Sequence, residues 1–255
     1  MLSKTEALVL RTIKYGEQKL IVDMFTRQQG RLSFLLTLPK SPRAKLRKQY
    51  FQPLTLLMIE SDVRPQLQLQ KLNDAALLQP MPTLLSDPSK LSISLFLSEF
   101  LYHALKGEQQ NEQLFDYMST SLQWLDSREH DYANFHLVFL MHLSRFLGFY
   151  PNLESLEPAF PPGDHTGLGL SDTVYFDLRT ASFCAEPPVH RDFLMPAEAG
   201  VIRLLMRMDF PTMHLFRMNR QQRNRCIEVA LQFYRLHLPS FPDLHSLSVL
   251  QELWD

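Results

Sequence analysis

Apolar and polar positions alternate along the first third of the chain and then change period. Residues 6–13 and 20–26 are runs of aliphatic and β-branched side chains separated by KYGEQK, a glycine-containing turn, and they predict a hairpin. After RQQG, residues 31–38 set Leu32, Phe34 and Leu36 against Arg31, Ser33 and Leu35, a period of two with one apolar intruder on the second face. Residues 53–61 and 66–72 predict a fourth and a fifth strand, the last with Leu67 and Leu69 alternating against Gln66, Gln68 and Gln70, which assigns the leucines to the core. Five short strands within about 75 residues suit a small closed Greek-key barrel of the OB type.

From about Ser89 the period becomes helical. Ile93, Phe96, Leu97, Phe100, Leu101, Ala104 and Leu105 recur on one face until Lys106-Gly107 ends the run, and a second helix starts near Asn111. A third, over about 132–149, buries Phe135, Phe139, Leu143 and Phe146 before Gly148 and Pro151 stop it. Residues 150–195 are rich in proline and glycine and predict a long surface excursion, with a small hairpin within 173–184. Helices resume over 196–208, 219–237 and 244–253. The expected fold class is α+β, with more than one domain: an OB-fold barrel over 1–80, then a helical domain over 81–255 that carries the 150–195 excursion.

Charge changes this picture by marking one part of the barrel. From Met24 through Ile59 there is no Asp or Glu, although 27 acids in 255 residues would place about four there by chance, and seven basic residues stand in their place. They are Arg27, Arg31, Lys40, Arg43, Lys45, Arg47 and Lys48. Residues 1–60 carry 11 Lys and Arg against four acids, a net of +7, which leaves 15 against 23, a net of −8, for the rest of the chain. The overall charge of −1 therefore conceals a local cationic stretch. OB barrels bind oligonucleotides across strands 2 and 3 and the adjoining loops, where this sequence places its charge together with Phe25, Phe34 and Tyr50. Phe25 and Phe34 fall at inward positions and read as core, which leaves Tyr50 as the base-stacking candidate.

Other chemistry finds no pattern. There is no GxxxxGK[ST] phosphate loop, GxSxG elbow or HExxH, and the carboxylates form no recognisable pair, so no catalytic residue and no cofactor are assigned. Cys184 and Cys226 are too few for a thiolate zinc site or a disulfide framework, so no metal is expected and a reducing cytoplasm is. No signal-peptide pattern and no run of 18 apolar residues is present, which argues against secretion and a membrane. In the helical half, Arg145 with Phe146 and Phe149 is a candidate partner site, one cation beside apolar side chains.

A family resemblance rests on an ordered set of residues: Ala7-Leu8-Val9-Leu10, Tyr15, Glu17, Leu20-Ile21-Val22, Phe25-Thr26 and Gly30-Arg31. Together these resemble the N-terminal domain of the RecO family of bacterial recombination mediators. FLMHLSRFLGFYPNL at 139–153 and the tail LHSLSVLQEL are similar to later segments of that family, with Phe149 where Tyr is common. The resemblance implies an OB-fold that binds single-stranded and double-stranded DNA, anneals complementary strands and helps load RecA onto strands covered by single-strand-binding protein, in the bacterial cytoplasm and nucleoid. It implies RecR and, in some bacteria, RecF as partners, with the C-terminal tail of single-strand-binding protein docking in the helical half. Several relatives hold zinc on four cysteines in the excursion; here only Cys184 remains, near His165 and His190. The residues by themselves also leave open an RNA-binding OB-fold and an interaction scaffold whose basic loop is merely solvated.

Overall fold

The computed structural model describes residues 2–37, 46–152 and 174–253, which divide into two compact units, 1–129 with 243–253 and 130–242. In the first unit, strands β1 (Leu2–Tyr15), β2 (Lys19–Thr26), β3 (Gly30–Thr37), β4 (Leu56–Asp62) and β5 (Leu69–Gln79) close a barrel in the order β1-β2-β3-β5-β4. All neighbours are antiparallel except β3 and β5. This is the five-stranded barrel that the alternation predicts. Its interior is filled by Val9, Val22, Met24, Phe34, Leu57 and Ile59, each 1 % exposed or less.

The fifth strand departs from its expected position and face. It runs 69–79 rather than 66–72, and Leu67 and Leu69 are 47 % and 40 % exposed, whereas Gln70 is 3 % exposed. The reason lies in the turn before it. The Gln70 amide donates to the carbonyls of Arg64 and Leu67 (3.0 and 2.6 Å) and accepts from the Arg64 N–H (2.9 Å), so burial satisfies the glutamine and the turn together. With Gln70 inward, Leu72 follows it into the core two residues later.

Helices α1 (Thr83–Ser86), α2 (Pro88–Ala104) and α3 (Glu112–Ser127) complete the first unit. Asp87 caps α2 and Asn111 caps α3, each side chain accepting from backbone N–H groups of the first turn. Ala7 and Val9 of β1 belong to the barrel core, Leu8 and Leu10 alternate with them and are buried as well, and the Ser98 hydroxyl on α2 donates to the Leu10 carbonyl at 2.5 Å. The closing segment carries α7 (Leu247–Gln251) and is fixed to α2, because Glu99 accepts from the N–H groups of His245 and Ser246 (3.0 and 2.8 Å) and from the Ser246 hydroxyl.

The second unit packs α4 (Phe135–Phe146), α5 (Pro196–Arg207) and α6 (Arg220–His237) with a small antiparallel sheet, β6 (Tyr175–Asp177), β7 (Ser182–Cys184) and β8 (Phe193–Leu194), in the order β7-β6-β8. The expected hairpin is present and gains a third strand. Tyr234 on α6 donates to the Leu140 carbonyl of α4 at 2.7 Å, and Leu143 is fully buried. Among the described residues no helix is long and apolar enough to cross a membrane, and no three His, Cys, Asp or Glu side chains cluster as a metal site.

Candidate nucleic-acid interface

The candidate cations separate according to what already answers their charge. Arg27, at the end of β2, reaches three carboxylates: Glu6 on β1 at 3.0 Å, and Asp116 and Glu112 on α3 at 3.0 and 3.6 Å. It is a clamp between barrel and helix, and little of its field is left for a phosphate. Arg31, four residues later across the β2–β3 turn, has no ion pair among the described residues. Its guanidinium donates to the Tyr102 carbonyl at 2.6 Å and lies 4.3 Å from the centroid of the Tyr102 ring.

The turn between these arginines explains why glycine precedes Arg31. Gly30 has φ +67°, and a Cβ there would stand 2.4 Å from the Gln109 carbonyl carbon. The Arg31 N–H bonds the Glu108 carbonyl at 3.1 Å, so the turn is seated backbone to backbone on the α2–α3 loop. That seating delivers Arg31 to Tyr102.

Of the loop cations, Lys40, Arg43 and Lys45 lie outside the described residues. Arg47 and Lys48 are exposed and lead into a 3-10 turn, Lys48–Phe51, whose Phe51 carbonyl accepts from Thr12 of β1 at 2.7 Å. The end of the basic loop is thereby anchored to β1. Tyr50 is half-buried against the barrel core, with Arg47 5.9 Å from its ring centroid. Phe25 and Phe34 are fully buried. Tyr15, before the glycine of the β1–β2 turn, is 56 % exposed and offers a freer stacking ring than Tyr50.

Two residues, Arg11 and His103, carried no sequence signal. Arg11 on β1 brings a second guanidinium to Tyr102, 4.6 Å from the centroid, and His103 meets the same ring edge-on at 4.9 Å. Burial lowers the His103 pKa; Glu99 opposes this, and Arg11, Arg31 and Lys106 add to it. In the second unit, Arg145 donates to the Tyr150 hydroxyl at 2.7 Å and lies over its ring. Phe146 is half-buried, and Phe149 is packed among Phe233, Tyr234 and His237, stacking on the His237 ring at 4.9 Å.

Residues 1–81 match the family described as Recombination protein O N terminal, and residues 85–247 match Recombination protein O C terminal. The chain belongs to the recombination protein O family. Relatives named DNA repair protein RecO, from Phocaeicola vulgatus and Bacteroides fragilis, are 45 % and 46 % identical to it over 100 % of both chains. One from Azobacteroides pseudotrichonymphae is 34 % identical, again over the full length of each. The ordered residues that resemble this family hold recognisable positions in the fold: Ala7, Val9, Leu20 and Val22 fill the barrel, Thr26 closes the turn by donating to the Gly30 carbonyl at 2.9 Å, and Gly30-Arg31 seats the turn on the helices.

Proposed function

We propose that this chain is a non-enzymatic recombination mediator in DNA repair, which binds single and double strands, brings complementary strands together and helps load RecA onto DNA covered by single-strand-binding protein. The observation that carries the reading is the acid-free, seven-cation stretch from Met24 to Ile59, in an OB barrel of the recombination protein O family. Annealing needs no general acid or base. It needs phosphate repulsion neutralised and base edges left free to pair, which a cationic surface provides.

In this reading residues 1–80 are the DNA-binding domain, with the loop from Lys40 to Lys48 and Arg31 as the main phosphate contacts, and Tyr15 and Tyr50 as candidate stacking rings. Arg27 holds the barrel to α3. RecR and, where present, RecF are the expected partners, in the bacterial cytoplasm and nucleoid. The acidic, apolar tail of single-strand-binding protein docks in the second unit. Support comes from a cavity of about 690 Å³ there, whose lining includes Val201, Leu204 and Met218 as well as Arg203, Arg207 and Arg217.

The test is a pair of titrations at moderate salt followed by an annealing assay. Labelled single-stranded DNA should bind, RNA of the same sequence should compete more weakly, and complementary strands should pair faster with the protein than without it. Absence of DNA binding would favour an interaction scaffold, and stronger competition by RNA would favour an RNA-binding protein.

A further inference from the structure

Arg11 and Arg31 both face the Tyr102 ring, 4.6 and 4.3 Å from its centroid, so their guanidinium carbons lie no more than about 9 Å apart. That is within about one Debye length at 0.1 M salt, so the two charges repel. Neither makes an ion pair with a carboxylate of the described residues. Arg31 has a structural explanation in its bond to the Tyr102 carbonyl, near the C-terminal end of α2, where helix carbonyls attract cations. Among the described residues Arg11 has no comparable bond: it is exposed on β1 and lies against the ring. Lys106, two residues past the helix, adds a third cation.

The nearby carboxylate is already engaged. Glu99 is held below its ordinary pKa: burial works against this, but hydrogen bonds from Ser246 and His245 outweigh it. The His103 pKa is lowered first by burial, and the fields of Arg11, Arg31 and Lys106 add to that shift. A ring that gathers like charges, beside a carboxylate turned to other donors, is an arrangement completed by an anion.

We propose that Arg11 and Arg31, spaced by Tyr102, form with Lys106, whose backbone N–H bonds the His103 carbonyl at 3.3 Å, a second phosphate-binding patch for the nucleic-acid backbone, separate in sequence from the Lys40–Lys48 loop. This deepens the DNA-binding reading and rests on it. Tyr102 is a positioning residue: its ring is occupied by the guanidiniums and fixes their spacing, so it does not stack on a base. A strand bound here is read through its phosphates, without sequence preference.

The full-length protein carrying Arg11→Gln and Lys106→Gln tests the patch against single-stranded DNA over a series of salt concentrations. Two lost phosphate contacts should flatten the log affinity against log salt slope by about 1.4 and weaken binding about 25-fold at 0.1 M salt. Tyr102→Phe keeps the ring and should bind as the parent does. Tyr102→Leu removes no charge, yet should weaken binding about fivefold, the value of one contact at that salt. Circular dichroism melts identify any variant that fails to fold, and Tyr102→Phe against Tyr102→Leu then decides the issue without loss of charge. The patch is overturned if the parent binds DNA while the double variant keeps the parent's affinity and slope; the proposed function would then survive. A parent that binds no DNA overturns both. Competition by inorganic phosphate beyond that of chloride at equal ionic strength, lost in the double variant, would mark a free-phosphate site and also overturn the proposal.

Discussion

The candidate cations of the first unit differ from the buried polar groups of the second in what surrounds them. In the first, the candidate cations stay at the surface and are positioned by neighbours: Arg31 and Arg11 by a ring, Arg27 by three carboxylates. In the second, His136 is 1 % exposed and Arg223 8 %, the latter donating to the Asn134 carbonyl oxygen of its side chain at 3.1 Å and to the Met218 carbonyl at 3.0 Å. Two of its more exposed arginines are answered within the unit, Arg225 by Glu198 and Glu228 and Arg179 by Asp192. The difference teaches that a count of cations does not locate a phosphate site. What matters is whether the fold has already supplied the counter-charge.

The largest effect should come from disturbing the turn that places the first unit's cations. Gly30→Ala would force a left-handed residue against the Gln109 backbone, and should cost about 2–5 kcal/mol of stability from backbone strain plus overpacking. A urea melt within 0.5 kcal/mol of the parent, a threshold well below about 1 kcal/mol of overpacking, would show that the turn is not seated as described.

Acid should separate the units next. Burial pushes the His136 imidazole from 6.5 down to about 3, and the Arg223 guanidinium adds to the shift. Because the folded pKa lies below the unfolded one, this contribution to stability is intact above pH 6.5 and is lost as pH falls through the window toward 3. Between pH 7 and 5 the second unit should lose about 2 kcal/mol from this group alone. Hydrogen exchange resolved along the chain should show α4 and α6 losing protection ahead of β1–β4, and His136→Leu should shrink that difference. An equal loss in both units would remove the contrast.

The barrel was legible because period-two alternation and turn glycines are local signals. The inward face of β5 was not: Leu67 and Leu69 alternate as core residues would, but a glutamine that closes its own turn takes the buried position. The site was legible as charge and illegible as geometry. Arg27 and Arg31 are indistinguishable in the sequence, and their separation depends on Glu112 and Asp116 in one case and on Tyr102 in the other, residues about 70 to 90 positions away. Arg11, on a strand with one net charge pattern among many, became a candidate only when α2 brought Tyr102 to it.

The smallest effect on binding should come from Arg27. Arg27→Ala should lower the melting temperature, since it leaves Glu6, Glu112 and Asp116 without their cation, yet shift single-stranded DNA affinity less than about twofold, below the roughly fivefold value of one phosphate contact at 0.1 M salt. A loss as large as that expected of Arg11→Gln with Lys106→Gln would erase the distinction between answered and unanswered cations.

If the barrel binds DNA through the basic loop, as proposed, the salt dependence of binding reports it. Single-stranded DNA affinity should be measured against salt for the parent and for a variant with Arg43, Lys45, Arg47 and Lys48 all changed to Ala. Four lost contacts should flatten the slope by about 3 and weaken binding alike for every sequence, while the melting temperature hardly moves. A folded variant that keeps the parent's affinity and slope would contradict the account, and would make the loop a solvated one.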